Sequence, residues 1–214
     1  MGITEIFLNY YQYFLRGTQT TVIVSLITVL LGTVLGCLIA LLRLSRFRLC
    51  SGFAKLYITV IRGTPLLVQL FFIYYGFPKI GIRMSAELCG VVGLAFLGGS
   101  YMAESFRSGL ESVEPIQSES AISLGMNSRQ VLGYVILPQA MSTSIPAFVA
   151  NIIFLLKETS VFSAISLMDL MFTAKDLIGM YSKTIECLFL LVVFYLIILL
   201  PVSIVGSLIE RRLR

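Results

Sequence analysis

The chain has 214 residues, of which 57% are hydrophobic and 13% are charged, and its formal net charge is +5. Soluble domains carry about a quarter of their residues as Asp, Glu, Lys or Arg, so this composition excludes an ordinary soluble enzyme. The basic residues lie between long apolar blocks, where they orient a membrane protein, and this argues against a nucleic-acid partner. Histidine is absent and the four cysteines form no CxxC pair, so we expect neither a metal site nor a histidine base.

The first half of the chain contains an aromatic N-terminal stretch and three apolar blocks. Residues 1–16 mix charged and aromatic side chains, which predicts a helix that lies in the membrane interface. A spanning helix needs about 20 mostly apolar residues, so residues 21–42, 57–77 and 86–106 are predicted to be the first three spans. Glycines in the third span allow neighbouring helices to approach closely.

The second half supplies two further spans, at residues 139–156 and 185–209. We predict that a short helix ends or kinks at Pro138 before the fourth span, and that Pro201 kinks the fifth. Residues 158–184 are too apolar for a solvated loop and are predicted to form a re-entrant or surface-lying half-helix. The predicted fold class is therefore an all-α integral membrane protein with about five transmembrane helices.

The distribution of lysine and arginine predicts that the N-terminus lies outside and the C-terminus inside the cell. Residues 17–209 then form one membrane domain, with a cytoplasmic loop at about 107–138 and a basic cytoplasmic tail at 210–214. The inner segments would hold most of the basic residues, namely Arg43, Arg46, Arg48, Lys55, Arg62, Arg107, Arg129, Arg211, Arg212 and Arg214. The outer segments would hold Arg16, Lys79, Arg83, Lys157, Lys175 and Lys183.

The segment between the third and fourth spans, residues 113–138, has the pattern of a short helix and a turn followed by a second helix. Glu119 and Ala121 lie in the first helix, and Gly125 can end that helix in a left-handed turn. An exposed helix of this kind is suited to dock into a groove of a partner protein. An ordinary amphipathic connector explains the same residues equally well.

The same segment resembles the EAA loop of permease subunits in binding-protein-dependent ABC importers. Residues 119–138 read Glu-Ser-Ala-x3-Gly-x9-Val-x-Leu-Pro, where the family has Glu-Ala-Ala-x3-Gly-x9-Ile-x-Leu-Pro. Ile116 replaces the glycine usual in the polar amino acid subfamily, which leaves the local shape of the helix start open. The resemblance to that subfamily extends from residue 17 to residue 214, through Arg62-Gly63-Thr64-Pro65-Leu66-Leu67-Val68-Gln69, Tyr74-Tyr75-Gly76, Tyr101-Met102-Ala103-Glu104, Pro138-Gln139-Ala140 and Lys157-Glu158-Thr159-Ser160.

The resemblance implies the transmembrane fold of a type I ABC importer and a multi-pass protein of the bacterial plasma membrane. It implies four kinds of partner: two cytoplasmic ATP-binding subunits, a second copy or a homologous permease, an extracytoplasmic amino-acid-binding protein, and the lipid bilayer. ATP and Mg would be bound by the ATPase, since this chain has no GxxxxGK[ST] phosphate loop and is expected to bind no cofactor. The residues assigned to coupling with the ATPase are Glu119, Ser120, Ala121, Gly125, Leu137 and Pro138.

Polar and charged residues within or beside the spans are the candidates for a substrate pathway. Ionisable residues at such depth usually face an interior and pair with each other or with a ligand, and an amino acid offers both an ammonium and a carboxylate. The candidates are Gln69, Ser100, Tyr101, Glu104, Lys157, Glu158, Thr159 and Ser160. Structural ion pairs, or snorkelling of Lys157 and Glu158 to the interface, would explain the charges equally well. Arg62 is interpreted as a positive anchor at the inner headgroups, and Gly63 and Pro65 after it allow a turn or the start of a helix.

Three functions compete for this sequence. The leading one is a permease subunit of an ATP-driven amino acid importer, with no catalytic residue and no covalent step on the substrate. An exporter or ion channel subunit is the first competitor, and a channel would have no use for the coupling-loop pattern. A membrane-embedded enzyme is disfavoured because histidine is absent and no paired carboxylates stand at helical spacing within a span.

Overall fold

The structure, a computed structural model, describes residues 3–213, and that part of the chain is helical without any strand. In chain order the helices are α1 (Ile3–Arg43), α2 (Arg48–Gly63), α3 (Leu66–Phe71), α4 (Ala86–Glu111), α5 (Pro115–Ser123), α6 (Ser128–Gln130), α7 (Leu137–Glu158), α8 (Leu170–Tyr181) and α9 (Thr184–Leu213). Shorter helical turns connect or extend these helices. After α3 come a π-helical turn (Phe72–Gly76) and a 3-10 turn (Phe77–Ile80). A second π-helical turn (Val131–Ile136) joins α6 to α7, and a second 3-10 turn (Thr159–Ile165) follows α7.

Four helices are long and apolar enough to cross a membrane, and a bent pair of helices makes a fifth candidate span. The four are Glu5–Arg43, Ala86–Glu111, Ser128–Ile165 and Thr184–Arg212, and the bent pair is Arg48–Gly63 with Leu66–Ile80. The predicted fold class, all-α with about five spans, is confirmed in this form.

The N-terminal stretch is not a separate helix. Residues 1–16 were expected to form an interfacial helix ahead of the first span, whereas α1 runs without a break from Ile3 to Arg43. The residues near the expected boundary favour continuity, because Phe14 and Thr21 are both buried against the rest of the chain. Of this predicted segment, Met1 and Gly2 lie outside the described residues.

The predicted second span, residues 57–77, contains a sharp break near its start. The axes of α2 and α3 differ by 101° across the Gly63-Thr64-Pro65 junction. Thr64 is extended, with φ −116° and ψ 138°, because the residue before a proline is pushed out of the helical region. The Gln69 amide donates to the Ile61 carbonyl at 2.9 Å and to the Thr64 carbonyl at 3.0 Å, which satisfies groups that the break leaves without helical partners.

Pro138 does not end the helix before the fourth span. The chain is helical from Ser128 to Ile165, with the π-helical turn Val131–Ile136 directly before α7. Pro138 stands in the first turn of α7. The wider π turn relieves the contact between its ring and the preceding carbonyls. The start of the fourth span at about residue 139 stays a prediction.

Residues 158–184 form two elements in place of the single half-helix that was expected. The 3-10 turn Thr159–Ile165 ends at Ser166, which is left-handed with φ 60°, and α8 follows from Leu170. The apolar side chains that identified the segment are indeed inside, since Ile165, Leu167 and Leu170 are buried. A membrane-dipping or surface-lying position of this segment stays a prediction.

The bundle is organised around α1 and α4, which pack along each other more extensively than any other pair of described helices. Glycine allows this, as predicted for the third span. A Cβ atom on Gly32 would lie 3.3 Å from the Gly98 carbonyl carbon and 3.3 Å from the Gly99 nitrogen. The largest core cluster joins α1 and α4 to α3, α7 and the 3-10 turn after α7, and it fixes the helices that line the clefts described below.

Candidate functional site

One cleft opens where α2 breaks from α3, and we call it the Arg62–Glu158 cleft. It has a volume of about 320 Å³. The broken segment supplies one wall and α4 and α7 supply the other. The lining residues are Arg62, Gly63, Thr64, Pro65, Leu66, Leu97, Tyr101, Phe154 and Glu158.

Two opposite charges and an aromatic ring line this cleft. The guanidinium carbon of Arg62 lies 4.7 Å from the centre of the Tyr101 ring, and that ring is 5.0 Å from the ring of Phe154. Glu158 is half-buried at the end of α7. Within the described part of the chain, Arg62 and Glu158 form no ion pair with each other, so both charges are available to a ligand.

Hydrogen bonds between α4 and α7 hold Tyr101 in place. The Asn151 amide donates to the Ser105 hydroxyl at 2.8 Å and to the Tyr101 carbonyl at 3.4 Å. The Ser144 hydroxyl donates to the Ser105 carbonyl at 3.2 Å. Polar groups buried between helices are stabilising when they are paired in this way. Asn151 could not be identified from the sequence, because an isolated amide within an apolar block carries no pattern.

The predicted pathway residues separate into three groups. Tyr101 and Glu158 line the Arg62–Glu158 cleft, and Glu104 lines a second cleft described below. Three others bond within the protein: Gln69 closes the α2–α3 break, the Ser100 hydroxyl donates to the Leu97 carbonyl, and the Thr159 hydroxyl donates to the Leu156 carbonyl. Lys157 is exposed and Ser160 is partly buried, and neither lines either cleft.

A second cleft of about 310 Å³ lies beside the first, and Arg62 belongs to both. Its lining residues are Arg43, Lys55, Ile58, Thr59, Arg62 and Glu104. Glu104 is ion-paired with Arg107, which also pairs with Glu111. The structure therefore brings Arg62 into the centre of the candidate site, although the sequence had suggested only a headgroup anchor.

The predicted coupling helix is present as α5, and it ends as its glycine predicted. Gly125 is left-handed, with φ +86°. The Gly125 N–H donates to the Ile122 carbonyl at 2.9 Å, and the Met126 N–H donates to the Ala121 carbonyl at 3.2 Å. This pair of bonds is the Schellman motif, which closes a helix and turns the chain away from its axis.

The faces of α5 differ sharply in exposure. Ala121 is buried, and α5 packs against the π turn that contains the buried Val131. Glu119 and Ser120 point to the surface, together with Ile122 and Leu124, which are 60% and 85% exposed. Apolar side chains this exposed next to a carboxylate form a patch that suits a protein partner.

Leu137 and Pro138 do not lie on this patch. Leu137 borders an apolar groove between α1, α4 and α7, and Pro138 is exposed in the first turn of α7. The start of α5 has a regular form despite Ile116, because Glu114 is extended before the helix and Pro115 occupies its first turn.

A buried carboxyl group lies at the start of α8. Asp169 has no exposed surface, its Oδ1 accepts the Phe172 N–H at 2.8 Å, and its Oδ2 has no hydrogen-bond partner. Burial raises the pKa of Asp169 to about 7, against smaller lowering effects from backbone N–H groups and Lys175. Sequence reasoning missed this residue, because its burial depends on how α8 packs against α1 and α9.

Known proteins resemble this chain over most of its length. Residues 32–214 match the family model described as binding-protein-dependent transport system inner membrane component. The chain is 36% identical over 176 residues to the probable amino-acid ABC transporter permease protein YckA of Bacillus subtilis, covering 82% of this chain and 78% of that protein. It is 33% identical over 203 residues to the putative glutamine transport system permease protein GlnP of Rickettsia typhi, covering 94% and 93%.

Two solved structures are similar over nearly the whole chain. The crystal structure of an amino acid ABC transporter with histidines has a TM-score of 0.91 at 36% identity and covers 96% of both chains. An inward-facing conformation of the MetNI methionine ABC transporter has a TM-score of 0.75 at 15% identity, covering 96% of this chain and 98% of that one. At that identity the second likeness shows the fold alone.

Proposed function

The chain belongs to the family of binding-protein-dependent transport system inner membrane components, and we propose that it is the permease of an ATP-driven polar amino acid importer. The permease itself is not catalytic. Its bacterial relatives favour a multi-pass position in the bacterial plasma membrane, and several of them are named as permeases for amino acid, glutamine or arginine transport.

The observation that carries the substrate assignment is the pair of opposite charges, Arg62 and Glu158, on one cleft. A free amino acid is a zwitterion, so it can place its carboxylate at Arg62 and its ammonium at Glu158. Charges within the membrane are costly unless they meet a partner, and a ligand that supplies both signs lowers that cost. The apolar lining residues Leu66, Leu97 and Phe154 offer a surface for the aliphatic part of the substrate.

The patch on α5 is the proposed contact with a cytoplasmic ATPase subunit. Glu119, Ser120, Ala121 and Gly125 build the helix and its end, while Ile122 and Leu124 offer exposed apolar side chains for a partner's groove. Leu137 and Pro138 would act by connecting α5 to α7. ATP and Mg would be bound by the ATPase, and a second permease and an extracytoplasmic binding protein would complete the importer.

Coupling of this kind needs two arrangements of the helix bundle. ATP binding can shift the balance between them only if the ATPase binds one arrangement more tightly than the other. The substrate then meets the Arg62–Glu158 cleft from alternate sides of the membrane, without any covalent step.

The test is uptake by the assembled importer, reconstituted in vesicles, with Glu158→Gln compared with Lys157→Gln. Lys157 and Glu158 are adjacent in sequence, but only Glu158 lines the cleft. We expect Glu158→Gln to lower uptake efficiency by about tenfold or more, the value of one charge-assisted hydrogen bond, and Lys157→Gln to remain within about twofold of the parent. Equal uptake by both variants and the parent would remove the Arg62–Glu158 cleft from the pathway.

A further inference from the structure

The second cleft has an excess of positive charge that the Arg62–Glu158 cleft does not explain. Arg43, Lys55 and Arg62 line it with a single carboxylate, that of Glu104. That carboxylate is already paired with Arg107, a residue outside the cleft lining. An anion that entered this cleft would therefore meet uncompensated cations.

The cations on α2 form a line along the helix. Arg48, Lys55 and Arg62 are seven residues apart, and a shift of seven residues drifts by only about 20° around an α-helix. An adjacent face of α2 carries a separate apolar line, made of the exposed side chains Leu49, Phe53, Leu56 and Val60. The apolar line is suited to contact with lipid. The cationic line lies on a different face of the helix, and two of its members, Lys55 and Arg62, line the second cleft.

Lys55 is the cation of the second cleft that has no other partner. Arg43 donates to the Ser51 hydroxyl at 3.2 Å, and Arg62 lies over the Tyr101 ring. Lys55 is exposed and makes neither a hydrogen bond nor an ion pair with the residues described in the structure. Its ammonium is therefore available to an anionic group within the cleft.

We propose that the second cleft is a separate station for the carboxylate of the transported amino acid, occupied between the Arg62–Glu158 cleft and the inner face. This inference rests on the proposed function. Arg62 lines both clefts, so the carboxylate passes from one to the other without losing contact with a cation. A cation ahead of a moving carboxylate lowers the free-energy barrier to leaving the first cleft, because its attraction offsets part of the cost of removing the carboxylate from water.

The competing explanation for Lys55 is orientation of the membrane protein by positive charge on the inner side. That explanation treats Arg48 and Lys55 alike, since both precede the broken second span on the same helix. Of these two cations only Lys55 belongs to the station, since Arg48 does not line the cleft. Arg48 is therefore a matched control on the same helix with the same charge.

The experiment measures the kinetics of ATP-dependent uptake by the complete importer in vesicles, with Lys55→Gln, Lys55→Arg and Arg48→Gln. We expect Lys55→Gln to lower the maximal rate by about tenfold, the equivalent of one charge-assisted hydrogen bond, with the half-saturating substrate concentration changed by less than about twofold. Lys55→Arg and Arg48→Gln should both keep the parental rate. Protease protection of the C-terminal tail checks that all variants keep the parental orientation.

Two results would overturn the station. One is a maximal rate for Lys55→Gln equal to that of Arg48→Gln. The other is a change confined to the half-saturating concentration, which would place Lys55 in initial binding. The proposed function is tested separately by Glu158→Gln, because normal uptake in that variant contradicts a role of the first cleft. Impaired uptake in Glu158→Gln together with normal uptake in Lys55→Gln contradicts only the station.

Discussion

The guanidinium carbon of Arg62 lies 4.7 Å from the centre of the Tyr101 ring, and this contact joins the broken end of α2 to the middle of α4. The interaction of an arginine with an aromatic face is favourable by about 0.5 to 2 kcal/mol, depending on how far the pair is removed from water. Here the contact also directs the positive charge into two neighbouring clefts. The position of that charge is therefore tied to the ring, and changing the ring should change transport.

Removal of the ring should weaken transport, while removal of the hydroxyl alone should not. We expect Tyr101→Leu to lower uptake efficiency about three- to tenfold, because Arg62 loses its aromatic support. Tyr101→Phe keeps the ring face and should stay within about twofold of the parent. The measurement is initial uptake rate against substrate concentration. If Tyr101→Phe is as impaired as Tyr101→Leu, the hydroxyl is the important group and the ring contact is not.

The end of α5 should depend on the left-handed glycine. Gly125→Ala places a side chain at φ +86°, which costs roughly 1 kcal/mol of strain. We expect the chain to remain folded in the membrane, with a reduced ratio of substrate molecules imported to ATP hydrolysed. Gly133→Ala is the control, because a Cβ atom there also meets open space and its φ is not positive. A parental transport ratio in Gly125→Ala would exclude a role of this helix end in coupling.

The close approach of α1 to α4 should tolerate no side chain at Gly36. A Cβ atom there would lie 2.5 Å from the Met102 Cβ and 2.9 Å from the Ala103 nitrogen. Overpacking of this kind costs about 1 to 3 kcal/mol, so Gly36→Ala should lower the Tm of the detergent-purified chain. Gly52→Ala should leave Tm unchanged or slightly raised, because no atom lies within 4 Å of its Cβ position and alanine favours helix. Equal Tm values for the two variants would disprove the contact.

Protonation of Asp169 should make stability depend on pH. Burial raises the pKa of Asp169 in the folded chain to about 7, whereas the ordinary value is about 4. Between these values the folded chain holds a proton that the unfolded chain has released, so the free energy of unfolding falls as the pH rises from about 4 to about 7. Asp169→Asn keeps a side chain that can accept the Phe172 N–H and removes the titration.

The measurement is Tm at pH 5 and at pH 8 for the parent, Asp169→Asn and Asp176→Asn. Asp176→Asn is the control, because it changes an exposed carboxyl on the same helix. The Tm of the parent and of Asp176→Asn should fall more between pH 5 and pH 8 than the Tm of Asp169→Asn. The same pH response in all three proteins would show that Asp169 is not the titrating group.

Much of the fold follows from local sequence patterns. Apolar block length identified the candidate spans, and Gly125 predicted the end of α5 because a left-handed residue is a local backbone property. The size of the bend at Gly63-Thr64-Pro65 was harder to predict than the turn itself. An apolar block of sufficient length looks like one span, and the Gln69 hydrogen bonds that stabilise the bend appear only after the chain has turned.

The site was less predictable than the fold, because it depends on how helices face each other. Lys157 and Glu158 are consecutive, and consecutive residues point about 100° apart around a helix, so only Glu158 reaches the cleft. Arg62 was interpreted as an anchor, because its contact with Tyr101 joins residues that are distant in sequence. The burial of Asp169 likewise required the packing of α8.

The central claim is that this chain carries a polar amino acid inward, powered by ATP hydrolysis on a separate subunit. The most direct measurement is accumulation of radiolabelled polar amino acids in vesicles that contain the permease, its ATPase and its binding protein. We predict accumulation against a concentration gradient that requires ATP and the binding protein and is lost when the permease is omitted. Equal uptake with and without ATP, or export of the same substrates, would contradict the account.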